Sequence, residues 1–366
     1  MDGNMMIENR VKKFCTKFGI QKPVMNAPMA GVTTPAMVAA VSNAGGLGIL
    51  AGDLMNATKL AQAIDEVRAL TSAPFAVNLR VPAKRIDRKH ETDVDQALDD
   101  LKQQLGLSLK FQPCRHPDFD SQFEVLVDKQ VEIVCASFGG LREIYADKLK
   151  DLGVKTIGAA TTLREAKVMR SADVDAIIVQ GVEAGGPRLN FEQPDSRSLV
   201  GLLSLIGPAL RATQLPIIAA GGIATGAQMA ASLLAGADAV MLGTALVRTE
   251  ESGAHPLHKQ ALSWCTDAGT ILTRAINGRL TRVIPNGLVE ALESSGLQYA
   301  DYPSQQEIFL PILEAARRQD RDDLIELAAG QGAGLARSGS CADVLQQLCQ
   351  ECAQILPQLE SHLIAQ

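Results

Sequence analysis

Four points of the chain combine side chains and bare backbone in a way that suggests chemistry. Asn78 lies near the end of the apolar run Phe75–Leu79, and Gln180 follows the run Ala176–Val179, just ahead of Gly181-Val182-Glu183-Ala184-Gly185-Gly186-Pro187-Arg188. A side-chain amide carries a donor and an acceptor together. Beside bare glycine backbone it suits the polar edge of a planar cofactor, although Asn78 suits a turn cap equally well. The other two points are Gly221-Gly222, after Ile217–Ala220, and Gly243-Thr244, after Ala239–Leu242. Glycine lets a ligand approach main-chain N–H groups that a side chain would screen. Either glycine end alone fits a tight strand-to-helix turn. Two in succession favour a phosphate, because neighbouring strands bring both to one rim.

Other reactive residues are less organised. His255 and His258 are three apart, on one side of a predicted helix, but no third ligand accompanies them, so no metal site is expected and a solvated helix start is the better reading. His90 and His116 fall in a polar insertion and His362 in the tail. Glu183 could act as a general base or could satisfy the N–H groups of its own loop. Ser42–Gly48 matches part of a dinucleotide fingerprint but lies between helix and strand, the wrong order for that motif. The chain has no GxSxG elbow and no P-loop.

Positioning such residues requires a regular frame. Apolar runs at Met25–Pro28, Leu47–Leu50, Phe75–Leu79, Ile133–Phe138, Thr156–Ala160, Ala176–Val179, Ile217–Ala220 and Ala239–Leu242 alternate with helical patterns. Continuous apolar runs, without polar alternation, mark parallel strands covered on both faces. Eight such units predict an α/β fold, a closed (β/α)8 TIM barrel, over an open doubly wound sheet. Pro35 is placed for a first helical turn and Thr225 for an N-cap. The barrel is expected over residues 12–254, with a polar excursion at about 83–118 that is partly helical around 93–104. Residues 255–335 are expected to form a smaller, mainly helical cap beside the C-terminal rim, with two helical stretches around Gln319-Asp320-Arg321. Gly330–Gly334 reads as a flexible link, and 336–366 as a C-terminal helix packing on the barrel.

Composition narrows the partners. The 366 residues carry a formal net charge of -6, which disfavours a nucleic-acid backbone as partner. Aromatic residues make up 4%, with one Trp, too few for base-stacking surfaces. Seven Cys, an odd number, suggest reduced thiols and a cytoplasmic location. No apolar run approaches the roughly 18 residues of a membrane span. Composition does not determine the oligomeric state.

The motifs resemble, in order and spacing over nearly the whole chain, the nitronate monooxygenases, FMN-dependent TIM-barrel enzymes. The resemblance rests on Asn26-Ala27-Pro28-Met29-Ala30-Gly31, Ser42–Gly48, Val77-Asn78-Leu79, Gln180–Gly186, Ala220–Ile223, Gly243-Thr244, Thr273-Arg274-Ala275 with Gly278-Arg279, and Ala329–Leu335. It implies that Ala27, Pro28 and Met29 line the flavin, that Asn78 and Gln180 contact its ring system, and that Gly185, Gly222 and Met241-Leu242-Gly243-Thr244 hold ribityl and phosphate. Many relatives have Gln where this chain has Met241, a change that a main-chain contact would survive. The family pattern EAGGH ends in a His that serves as base or hydrogen-bonding group; here that position is Pro187. Arg188, next in sequence, is a possible contact for an anionic substrate or a surface residue.

The activity this implies is oxidation of alkyl nitronates, such as propionate 3-nitronate, with O2 as acceptor. A nitronate is already an anion, so the missing His does not exclude that reaction. The alternatives are an NAD(P)H-dependent flavin reductase of quinones or enoyl thioesters, and an FMN-binding protein without catalysis.

Overall fold

A computed structural model describes residues 3–82, 88–107 and 115–355. Parts of the predicted excursion and of the C-terminal segment, with His362, lie outside the described residues. The expected barrel is present. Its strands are β1 (Val24–Asn26), β2 (Gly48–Ala51), β3 (Phe75–Arg80), β4 (Ile133–Ser137), β5 (Lys155–Ala160) and β6 (Ala176–Gln180). A short strand, β7 (Gly186–Pro187), leaves the barrel before β8 (Ile217–Ala220) and β9 (Ala239–Leu242) complete it. All neighbours in the order β1-β9-β8-β6-β5-β4-β3-β2 are parallel. A single parallel bridge, Met25 to Leu47, closes the seam. The buried Asn26 amide reinforces it, accepting from Ile49 N at 2.8 Å and donating to Ile49 O at 2.9 Å.

Local signals start the helices as read. Thr34 caps Pro35–Asn43 by accepting from Met37 N, and Thr225 forms a reciprocal capping box with Gln228. The N-terminal helix Gly3–Phe18 contributes Phe14 and Phe18, both 1% exposed, to the cluster that fills the barrel interior. That cluster also contains Met25, Ile49, Ile157, Ile178 and Ile218.

The cap departs from its reading in three ways. The excursion joins it: Val94, Leu98 and Leu105, from helices Glu91–Ala97 and Asp99–Gln104 and the turn after them, share one core with Ile276, Leu288, Phe309 and Ile312. Each short piece lacks enough apolar surface to fold alone, and together they bury one side of helix Ser304–Arg318. The second helical stretch expected beyond Gln319 is instead a set of turns. Finally, β10 (Ile271–Thr273) and β11 (Thr281–Val283) form an antiparallel sheet with β7, so the cap is stitched directly to the loop after β6. The C-terminal helix Cys341–Ile355 lies against helices Gly226–Leu234 and Pro35–Asn43, burying Val344, Leu345 and Leu348.

Candidate active site

A cavity of about 480 Å³ opens over the C-terminal ends of the barrel strands. Its lining includes small residues, Ala27, Ala51, Ala136, Ala159 and Ala220, with Gly243 at the end of β9. Larger residues at these inward positions would fill the space, so the sequence itself leaves room for a flat group at the barrel mouth. Helix Ser304–Arg318 borders the cavity with Gln306, Leu310, Leu313 and Arg317, spaced to share one helical face.

Ala27, Pro28, Met29, Asn78, Gln180, Gly185, Gly222, Met241, Gly243 and Thr244 all line this cavity. Leu242 does not; its side chain belongs to the core between strands and helices, and its carbonyl accepts from Ala27 N at 2.8 Å. Among the described residues, the main-chain N–H groups of Gly222, Gly243 and Thr244 have no hydrogen-bond partner. Three free donors at one rim form a receptor for an anionic group such as a phosphate. The floor of alanines and these donors together fit a flavin mononucleotide, which has a flat ring at one end and a phosphate at the other.

The glycine-rich segment read as a flexible link is a packed wall. Gln331 N donates to Glu183 O at 2.9 Å, and Gly330 N donates to the Thr244 hydroxyl at 2.9 Å. A Cβ on Gly185 would lie 2.5 Å from Gly330 N, and one on Gly332 would lie 2.8 Å from Gly222 O. These glycines are needed because two backbones meet there.

The loop after β6 is held rigidly. Gln180 donates through Nε2 to Pro187 O at 3.1 Å, while its Oε1 accepts from Leu189 N at 3.0 Å and from Arg188 at 3.1 Å. Arg188 is turned away from the cavity, correcting its reading as a substrate contact. It is 3% exposed and donates to the carbonyls of Ser198 (3.0 Å), Gln180 (2.5 Å), Gly181 (2.8 Å) and Thr161 (3.4 Å). Burial pushes its pKa down to about 10, so it stays charged at neutral pH. Glu183 is committed too: its carboxylate accepts from Leu202 N at 3.0 and 3.1 Å, at the start of helix Leu202–Thr213. It therefore satisfies main-chain donors and does not reach the cavity as a base. Arg188→Met should cost about 3 kcal/mol, because buried carbonyls lose charged donors; chemical denaturation reads this loss, and an unchanged midpoint would contradict the bracing role.

The two histidines also separate. His255 caps helix Pro256–Trp264, accepting from Leu257 N, and its Nε2 lies 3.1 Å from Asp320. His258 is not a solvated helix start: it lines the cavity, is 5% exposed, and donates from Nε2 to Ala328 O at 3.0 Å. Burial, with the nearby Arg317 charge, pushes its pKa down to about 4, so it is neutral. Missed entirely from sequence were Asp53 at the end of β2, and Phe138, Asn277 and Tyr302, which line the cavity from β4 and the cap. Asp53 follows an apolar strand in the position where barrel catalytic residues occur, which is the signal that could have found it.

Residues 12–351 match the model of the nitronate monooxygenase family. A probable nitronate monooxygenase of Staphylococcus aureus (strain JH9) is 34% identical over 340 residues, covering 92% of this chain and 96% of that protein. Among solved structures, nitroalkane oxidase from Streptomyces ansochromogenes superposes with a TM-score of 0.87 at 35% identity, covering 94% of this chain and 99% of that one. FabK from Thermotoga maritima gives a TM-score of 0.74 at 26% identity, covering 96% and 99%.

Proposed function

The chain belongs to the nitronate monooxygenase family and is an oxidoreductase, and on that premise we propose that it oxidises alkyl nitronates with O2, using FMN bound in the barrel mouth. The observation that carries the reading is the pairing of an alanine floor with the free N–H groups of Gly222, Gly243 and Thr244. Bound there, FMN would take electrons from the substrate and pass them to O2.

The protein's own part is to hold and enclose. The N–H groups of Gly222, Gly243 and Thr244 would take the phosphate, and Ala27, Pro28, Met29 and Asn78 would line the ring. Gln180 and Arg188 fix the Gly186–Pro187 strand, and the pairing of β7 with β11 holds the cap to that strand. The helix bearing Gln306, Leu310 and Leu313 would screen the reacting end from water. Six free cysteines among the described residues are the ground for a cytoplasmic location.

Purified protein should be yellow, and heat should release a flavin that chromatographs as FMN. A colourless protein that FMN cannot reconstitute would end this reading. Anaerobic stopped-flow should then show flavin reduction by an alkyl nitronate. Reduction by NADPH alone would assign the protein as a flavin reductase, and reduction by neither as a carrier.

A further inference from the structure

We propose that Asp53, at the rim above β2, is the proton acceptor of this cavity for neutral nitroalkanes. The proposal rests on the functional reading above and deepens it, because position 187 holds no base. Ala51 pairs with Asn78 across β2 and β3, and both line the cavity. Asp53, two residues on, also lines it and stands one step further toward the mouth. Asp53 therefore borders the same space as Asn78.

The surroundings of Asp53 are specific. Tyr302, also in the cavity wall, packs at 5.5 Å from the Phe138 ring. Arg80 lies 5.4 Å and Arg279 5.0 Å from the Tyr302 ring centre. His116 meets Tyr302 edge-on at 5.9 Å. Behind it, Glu307 accepts from His116 N at 3.1 Å, approaches His116 Nδ1 at 3.3 Å, and pairs with Arg88 and Arg115. The side chains of His116 and Glu307 are 5% and 2% exposed. With Nδ1 directed at a carboxylate, the other ring nitrogen, Nε2, is buried and has no hydrogen-bond partner among the described residues.

The charged or titratable groups around Asp53 include Arg80 from β3, His116 from the end of the excursion, and Tyr302 from the cap. Burial raises the Asp53 pKa, the direction that strengthens a base, while the Arg80 charge opposes that rise and favours the carboxylate. Tyr302 is pushed up to about 12 by burial and is therefore no base at neutral pH. The other cavity carboxylates, Glu314 and Glu326, come from the side of the cap that carries Arg317.

The step balances without an oxidant. The carbon–hydrogen bond beside the nitro group breaks, its electron pair moves onto the nitro group to give the nitronate, and an O–H bond forms on Asp53. Exchange of that hydrogen requires only this step and its reversal with a solvent deuteron, which forms the carbon–deuterium bond and draws the electron pair back from the nitro group, so it can be read apart from oxidation.

The test uses the flavin-loaded protein under anaerobic conditions in D2O, with nitroethane as probe and loss of its α-proton signal followed by NMR. Wild type should accelerate the exchange above the buffer rate. Asp53→Asn, which keeps shape but removes the base, should lower the catalysed rate about 10²-fold or more. Its ratio of flavin reduction by nitroethane to reduction by ethyl nitronate should fall in parallel. Arg80→Gln removes a cation that favours the Asp53 carboxylate and should move the lower-pH limb of the exchange profile to higher pH, a shift that loss of packing alone would not give. No exchange by wild type, or an unchanged rate in Asp53→Asn, overturns the proposal. Asp53-dependent exchange without flavin reduction by nitronate would leave this proposal standing and sink the assigned oxidation.

Discussion

A preformed alkyl nitronate should reduce the bound flavin about 10²-fold faster than the corresponding neutral nitroalkane, because the neutral form must first lose a carbon proton to a positioned base. The place where the family resemblance puts a His is Pro187, whose ring can neither accept nor donate that proton. Its neighbours do not replace it. Arg188 is committed to carbonyls, Glu183 to the start of a helix, and Gln180 to the Pro187 and Leu189 backbone. Asp53 supplies a carboxylate to the cavity, but no imidazole stands at the 187 position. Pro187→His should therefore raise turnover of the neutral substrate while leaving nitronate oxidation little changed. The mutant loop remains tied through Gln180, Arg188 and the pairing of Gly186 with Arg282. Stopped-flow mixing of each substrate form before interconversion gives both rate constants. Equal constants for the two forms in the unmodified protein would defeat the prediction.

Gly243→Val should fold normally and lose FMN affinity by about 10²-fold, the equivalent of one or two charged hydrogen bonds at about 1.5–3 kcal/mol each. The site is chosen because its φ is −102°, outside the left-handed region. A Cβ there would meet only Ala27 Cβ at 3.5 Å and Met29 Sδ at 3.7 Å, ordinary contact distances. The added side chain therefore intrudes on the cavity and not on the core, and it screens the free N–H groups. Gly222 would be a poorer probe: its φ is +71°, and a Cβ would lie 3.0 Å from Glu183 Cβ, so a substitution strains the loop whatever binds. Titration of apoprotein with FMN, paired with a thermal melt of the same apoprotein, separates affinity from folding. A variant with wild-type melting and wild-type affinity would remove Gly243 from the phosphate site.

Much of the frame was determined locally. Eight apolar runs, the Thr34 and Thr225 caps and the glycine ends of β8 and β9 each reside in a few consecutive residues, and such short-range signals survive without knowledge of the fold. The resemblance extended this to the residues lining the barrel mouth, since their order and spacing are properties of the chain alone. Tertiary structure decided the rest, because it depends on which way a side chain points and on what comes to meet it. Arg188 follows the Pro187 position in sequence, yet its buried guanidinium turns to four residues' carbonyls and to the Gln180 side-chain oxygen. His258 looked like a helix-start residue until the 328 segment covered it. Gly330–Gly334 had the composition of a linker, but its glycines are where the wall passes within backbone contact of Glu183 and Gly222. The cavity wall that holds Asp53 and Tyr302, with His116 and Glu307 behind the Tyr302 ring, brings together residues up to 254 positions apart. No local pattern encodes such a meeting; it arises only when the excursion and the cap bury their apolar faces in one shared core.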